Sequence, residues 1–213
     1  HGFESRMRHH FLYRFSIHIV QFVYNNPTSL IGVQHHRKDI MEESSNANPN
    51  RAMIIIAHPD DGEWMAAGTL SKWAKAGTEV TYVLCTSGDK GTSDPNVKPA
   101  DLAAIREVEQ QNAATVVGAK DVVFLRYLDG SLQNTLELRK DLVKQIRRYK
   151  PDVVFCQDPT RRYSDWYINH PDHRAAGDAA LDAIFPSARD YHVYPDLIDE
   201  GYMPHNALEV YMG

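Results

Sequence analysis

Cysteine is scarce: the 213-residue chain has two, Cys85 and Cys156. Two thiols cannot build a disulfide framework, and standing far apart with no neighbouring cysteine they offer no zinc-finger spacing either. Long apolar runs are missing too; none approaches the roughly 20 residues that cross a bilayer. No Gly-x-Gly-x-x-Gly follows the first apolar run, and no Gly-Lys-Ser/Thr occurs, so the usual dinucleotide and P-loop signatures are absent. Basic charge is in deficit, and a net charge of −5 speaks against a nucleic-acid partner. What remains, 43% hydrophobic and 24% charged residues, is an ordinary globular composition at a length that suits one domain.

The average conceals a split. Residues 1–40 carry Arg6, Arg8, Arg14, Arg37 and Lys38 against Glu4 and Asp39, a charge of +3, while 41–213 carry 18 basic and 26 acidic residues, or −8. Six of the eleven histidines fall in 1–40. That segment shows no clean periodicity; Phe15–Tyr24 reads as either a short strand or a short helix. It also lacks the uninterrupted apolar core and small-residue cleavage site of a secretory signal, and a cytoplasmic location is expected. Residues 41–50 are polar and read as a tail. The expectation is a leader over 1–40, with Met41 as the natural start, a tail over 41–50 and a domain over 51–213 whose C-terminal part is incomplete.

From Arg51 strands and helices alternate. Ala52–Ala57 is a continuous apolar run, as in a strand buried on both faces. A helix follows over 63–76, with Trp64, Ala67, Leu70, Trp73 and Ala74 as its apolar face and Gly77 to end it. Strands are predicted at 79–85, 122–125, 152–156 and 207–212, and helices at 100–117, 136–149 and 171–184. Alternation at this spacing predicts an α/β, Rossmann-like, doubly wound and mostly parallel sheet with helices on both faces. Such sheets bind ligands at the carboxyl ends of their strands. There the sequence places His58-Pro-Asp-Asp61, Thr86-Ser-Gly-Asp-Lys-Gly91, Arg126-Tyr-Leu-Asp-Gly130 and Gln157-Asp-Pro-Thr160, the last leading to His170-Pro-Asp-His173.

His58 and Asp61 stand three apart in a turn stiffened by Pro59. His170 and His173 repeat that spacing, with Pro171 suited to the first turn of a helix. Two histidines and a carboxylate, with one position left to water, form a recurring catalytic zinc arrangement. Cys85 and Cys156 end strands and read as core thiols, and Ser87 and Ser164 lack the base relationship a serine hydrolase needs.

Taken with Arg106-Glu-Val-Glu109, Ala113-Ala114 and Tyr127-Leu-Asp-Gly130, these motifs resemble the LmbE-like (PIG-L) family of zinc-dependent N-deacetylases over about residues 51–213. The resemblance implies zinc (Zn2+) held by His58, Asp61 and His173. It further implies Asp60 as general base, His170 as an oxyanion-stabilising or proton-handling group, Asp172 as the carboxylate that orients His170, and Arg106 as a substrate contact. Gly62 departs from the pattern, since many members carry an acidic residue directly after the paired aspartates. Asp172 also fits a simple helix N-terminal carboxylate, and Asp129 fits either a pocket wall or a turn cap. Trp166 and Tyr167 suit either sugar stacking or a structural turn.

The implied reaction is removal of an N-acetyl group from an amino sugar or sugar conjugate, a small-molecule substrate. Amidase action on a thiol-sugar conjugate and a non-catalytic metal- or sugar-binding domain are the alternatives. An unligated base and a second unligated histidine have no use in pure binding. Iron or cobalt in place of zinc, and a homo-oligomer, stay open.

Overall fold

The computed structural model describes residues 13–15 and 48–213. The predicted leader and tail otherwise lie outside the described residues, as does Phe15–Tyr24 beyond Phe15. The strands are β1 (Tyr13–Phe15), β2 (Arg51–Ile56), β3 (Glu79–Thr86), β4 (Asp121–Tyr127), β5 (Val153–Cys156), β6 (Tyr163–Ser164), β7 (Tyr167–Ile168) and β8 (Glu209–Met212). The helices are α1 (Asp61–Lys75), α2 (Pro99–Val117), α3 (Leu136–Tyr149), α4 (Pro171–Asp182) and α5 (Pro195–Asp199), with a π-helical turn at Ala183–Ser187 closing α4.

Strand order in the main sheet is β1-β8-β5-β2-β3-β4. The five strands from β8 to β4 run parallel, and β1 pairs antiparallel on β8 with Tyr13 opposite Met212. Because side chains alternate along a strand, β2 feeds two cores at once. Ala52, Ile54 and Ile56 face α1 and α2 together with Tyr82, Leu84 and Phe155. Met53, Ile55 and Ala57 face α3 and α4 with Val83, Cys85, Val154 and Cys156. The double burial explains the unbroken apolar runs, and a fully buried leucine such as Leu70 contributes roughly 1.5–3 kcal/mol. Among the described residues no helix is long and apolar enough to cross a membrane.

One packing expectation is corrected. Trp64 is 88% exposed, because the buried line of α1 runs through Gly62, Ala66 and Leu70, and position 64 lies on the opposite face. Trp73 does pack, its ring 5.6 Å from that of Phe155. The hairpin β6–β7, helix α5 and edge strand β1 are additions that periodicity did not reveal.

Two glycines allow the approaches that bring the site together. A Cβ on Gly62 would stand 2.6 Å from Cε1 of Tyr82, so α1 lies directly on β3. A Cβ on Gly177 would stand 2.0 Å from the carbonyl oxygen of Gln157, so the backbone of α4 rests on the chain leaving β5.

Candidate active site

Strand β2 has β3 on one side and β5 on the other, which makes the β2/β5 boundary the point where strand order reverses and a crevice opens. His58 leaves the end of β2 into this crevice, and His170 caps the N-terminus of α4 beside it. The Oε1 of Gln157, beyond β5, accepts the N–H of Ala57 at 3.0 Å and ties the two strand ends together. Asn169 fixes the approach to α4: its side-chain Nδ2 donates to the Thr160 carbonyl, and its Oδ1 accepts from the Arg162 N–H.

Three imidazoles form a triangle, with ring centroids 4.9 Å (His58 to His170), 5.3 Å (His58 to His173) and 5.4 Å (His170 to His173) apart. One donor atom from each of the three lies within 4.8 Å of the others. Asp61 stands between two of the rings, its Oδ1 3.1 Å from His173 Nε2 and its Oδ2 3.4 Å from His58 Nδ1. Bonds of about 2.0–2.1 Å to a tetrahedral zinc put neighbouring donors about 3.3 Å apart, close to each of these two separations. Burial works against the charge on Asp61, yet its hydrogen bonds to His173 and His58 hold the carboxyl far below the usual carboxylate range.

A second donor group shares His58. Its Nε2 lies 3.0 Å from Asp129 Oδ1 and 3.3 Å from Asp172 Oδ2. These carboxylates are buried and already committed to the backbone. Asp172 accepts from the N–H groups of Gly130 (2.6 Å) and Leu132 (3.2 Å), and Asp129 accepts from that of Lys90 (2.9 Å). Burial pushes the His58 imidazole down, but Asp61, Asp129 and Asp172 push it further up, and the net direction is upward.

Asp60 is exposed, its side chain 63% accessible, as is His170 across the cluster. It takes a left-handed backbone conformation, φ 83°, which costs a residue with a Cβ roughly 1–2 kcal/mol. Three contacts hold it there. The Arg106 Nη2 donates to Asp60 Oδ2 at 3.0 Å and to the Pro59 carbonyl at 2.7 Å, and Gln110 Oε1 accepts the Asp60 N–H at 3.0 Å. Gln110 in turn donates to Glu63 at 3.0 Å. Burial raises the Asp60 carboxyl, Arg106 lowers it and the Asp61 charge raises it again, leaving it above the ordinary value.

The structure therefore brings His58, Asp60, Asp61, Arg106, Asp129, His170, Asp172 and His173 to one edge. The contacts of Asp172 differ from those the resemblance implies. Its carboxylate faces His58, while its backbone N–H donates to His170 Nδ1 at 3.2 Å and leaves the ring proton on Nε2. Asp129 is buried behind His58. Trp166, 86% exposed, and Tyr167 sit on the β6–β7 hairpin, with their ring centroids 6.1 Å apart. Gln110 escaped the sequence reading, and Gln157 entered it only as the start of a strand-end segment, with no role of its own. The one signal for Gln110 was its place four residues after Arg106, on the same helix face.

Known proteins are similar to this chain in sequence and fold. The chain is 35% identical over 160 residues to the diacetylchitobiose deacetylase of Thermococcus kodakarensis, covering 75% of this chain and 58% of that protein. It is 32% identical over 142 residues to a probable N-acetyl-alpha-D-glucosaminyl L-malate deacetylase 2 of Bacillus anthracis, covering 64% of this chain and 60% of that one. It thus spans less than two thirds of the length of either relative. The solved structure of the N,N'-diacetylchitobiose deacetylase from Pyrococcus horikoshii, complexed with its inhibitor MPG, superposes with a TM-score of 0.70 at 31% identity. That superposition covers 87% of this chain and 68% of the other. Residues 53–184, well over half of the chain, match the PIG-L family, GlcNAc-PI de-N-acetylase, and the chain belongs to that family.

Proposed function

We propose that this protein is a zinc-dependent N-deacetylase that releases acetate from an N-acetylated amino sugar or sugar conjugate. The observation that carries the reading is the Asp61 carboxylate between His58 Nδ1 and His173 Nε2, with Asp60 beside it in a held, strained conformation. His58 (through Nδ1), Asp61 and His173 are the residues to hold the ion. Asp129 and Asp172 then act on the other face of His58, accepting its Nε2–H as second partners of metal-bound histidines commonly do. Their existing backbone hydrogen bonds favour that role over direct ligation. When bound, zinc supplies Lewis acidity toward an acetamide carbonyl and acidifies water.

The residues supply the rest. Asp60, with its carboxyl raised toward the pH at which a base is useful, takes the proton of the attacking water and returns it to the departing amine. Arg106 steadies that carboxylate through Oδ2. His170, its Nδ1 occupied by the Asp172 N–H, presents Nε2–H to the oxygen that gains charge. It acts as a neutral donor, in keeping with the downward push that burial and His58 give its imidazole.

Metal content of the purified protein, followed by acetate release from N-acetylglucosamine with and without chelator, tests the reading. Asp60→Asn should keep its zinc and lose about 10²–10⁴-fold in kcat. Full activity in zinc-loaded Asp60→Asn would overturn the mechanism.

A further inference from the structure

Asp129 and Asp172 approach the Nε2 side of His58 from separate segments, and a single turn orders both. Asp129 belongs to that turn, and its Oδ1 lies 3.0 Å from His58 Nε2. Gly130 and Leu132, further along it, hold the Asp172 carboxylate through their N–H groups at 2.6 and 3.2 Å. The far end of the turn is pinned by the Leu132 side chain, which is buried in the core shared with α3 and α4. The near end has a different anchor, Lys90, in the loop after β3.

Lys90 grips the turn in three ways. Its N–H donates to Asp129 Oδ2 at 2.9 Å, so one carboxylate is shared between Lys90 and His58. Its Nζ donates to the Asp129 carbonyl at 2.5 Å. Its stem crosses Gly130, where a Cβ would stand 3.6 Å from Lys90 Cδ. The loop that carries Lys90 is in turn registered to the backbone leading into His58. Thr86, where β3 ends, donates through both its N–H and its Oγ to the Ala57 carbonyl at 2.9 Å. The Gly88 N–H then donates to the same Oγ at 3.2 Å. One short loop therefore sets the spacing between the His58 backbone and the turn behind its ring.

We infer that Lys90 is a positioning residue for His58: it fixes the turn from which Asp129 and Asp172 face Nε2, and so holds the imidazole with Nδ1 toward Asp61. The inference rests on the deacetylase reading, in which His58 is a zinc ligand. Carboxylates on the far side of a metal-bound histidine set the orientation of its ring, and whatever fixes those carboxylates acts on the ion at one remove. Lys90 is exposed at the surface, so its ordering fills no gap in the core. An ammonium held on a backbone carbonyl gives up side-chain freedom, and the three contacts it gains by doing so all fall on this turn.

The test uses the full chain and reads zinc affinity by competition with a chromophoric chelator, alongside KM for N-acetylglucosamine at saturating zinc. Lys90→Met keeps the stem over Gly130 and removes the Nζ donor. It should weaken zinc binding about 5-fold or more, short of the roughly 10–100-fold typical when a direct partner of a ligand is lost. KM at saturating zinc should stay within about 2-fold, because Lys90 acts through His58 and not on the sugar. Lys90→Arg, which keeps a cationic donor for the Asp129 carbonyl, should recover most of the affinity. In an Asp129→Asn background Lys90→Met should cost less than it does alone, whereas independent effects would add. Zinc affinity within about 2-fold of wild type in Lys90→Met, additive losses in the double variant, or a raised KM with zinc affinity unchanged would overturn the inference and leave the deacetylase reading standing. A wild type that binds no zinc would overturn the two together.

Discussion

Gln110 Oε1 accepts the backbone N–H of Asp60 at 3.0 Å, so a buried glutamine on α2 fixes the turn that carries the proposed base. The same amide donates to Glu63 on α1, and the two helices thereby grip Asp60 from both sides. Gln110→Met keeps the volume and removes the acceptor. Leaving a buried N–H unpaired costs about 1–3 kcal/mol, and an Asp60 conformation already under strain is where that cost should appear. The expected result is a kcat lowered about 10–100-fold with KM within about 2-fold, read by steady-state kinetics on N-acetylglucosamine. Exchange of the pair, Glu63→Gln with Gln110→Glu, preserves one acceptor for Asp60 and one donor between the helices, and should recover most of the loss. A KM effect alone would show that Gln110 serves substrate binding instead.

Zinc removal and pH should interact through His58. In the metal-free protein its imidazole is raised above the ordinary value near 6.5, because three carboxylates outweigh the effect of burial. A raised histidine contributes stability that is fully present below the unfolded value and is lost as pH rises through the folded one. Zinc needs that same imidazole without its proton, so its stabilisation grows over the same interval. The Tm of chelated protein should therefore fall, and the Tm gap between zinc-loaded and chelated protein should widen, from about pH 6 to about pH 8. A gap constant across that range would remove His58 from the set of ligands.

Two glycines make opposite predictions. Gly177→Ala drives a Cβ to 2.0 Å from the Gln157 carbonyl, which belongs to backbone and cannot swing aside. Helix α4 must shift away from β5, moving His170 and His173, so both Tm and zinc affinity should drop. Gly68→Ala, in the interior of α1 with nothing within 4 Å of the new methyl, should stabilise the protein by about 0.5–1 kcal/mol in urea denaturation. Activity of the Gly68 variant should match the wild type.

The parts that could be read in advance were those with a local cause. Burial on both faces made β2 from Ala52 onward and β5 unbroken apolar runs, and the two His-Pro-Asp spacings each lie within a few residues. Relations across the fold left no such mark. Gln110 looks in sequence like any polar position on a helix, and only the meeting of α2 with the β2–α1 turn gives it a partner. Asp129 and Asp172 meet at His58 from segments more than forty residues apart, so their shared face on one imidazole had no sequence signature. Trp64 misled because an aromatic side chain at the start of an amphipathic helix resembles a core residue, yet the burial of Gly62 against Tyr82 rotates it to solvent.

Arg147 is the strongest case for stability away from the site. It is fully buried on α3, and its guanidinium donates to the carbonyls of Ser187, Ala188, Asp190, Val193 and Tyr194 at 2.8–3.4 Å. Five carbonyls from one irregular segment thus converge on a single planar fork of donors, and the segment between the π-helical turn and α5 is organised around it. Lysine cannot replace that geometry, since an ammonium has three donors and no plane. Arg147→Lys and Arg147→Met should each cost several kcal/mol in urea denaturation, because buried carbonyls lose their donors at about 1–3 kcal/mol apiece where water does not replace them. The segment lies apart from the residues around His58. At a temperature where both variants are folded, kcat per folded molecule should therefore stay within about 2-fold of wild type, so that an activity loss larger than the folded fraction explains would tie this segment to the catalytic edge.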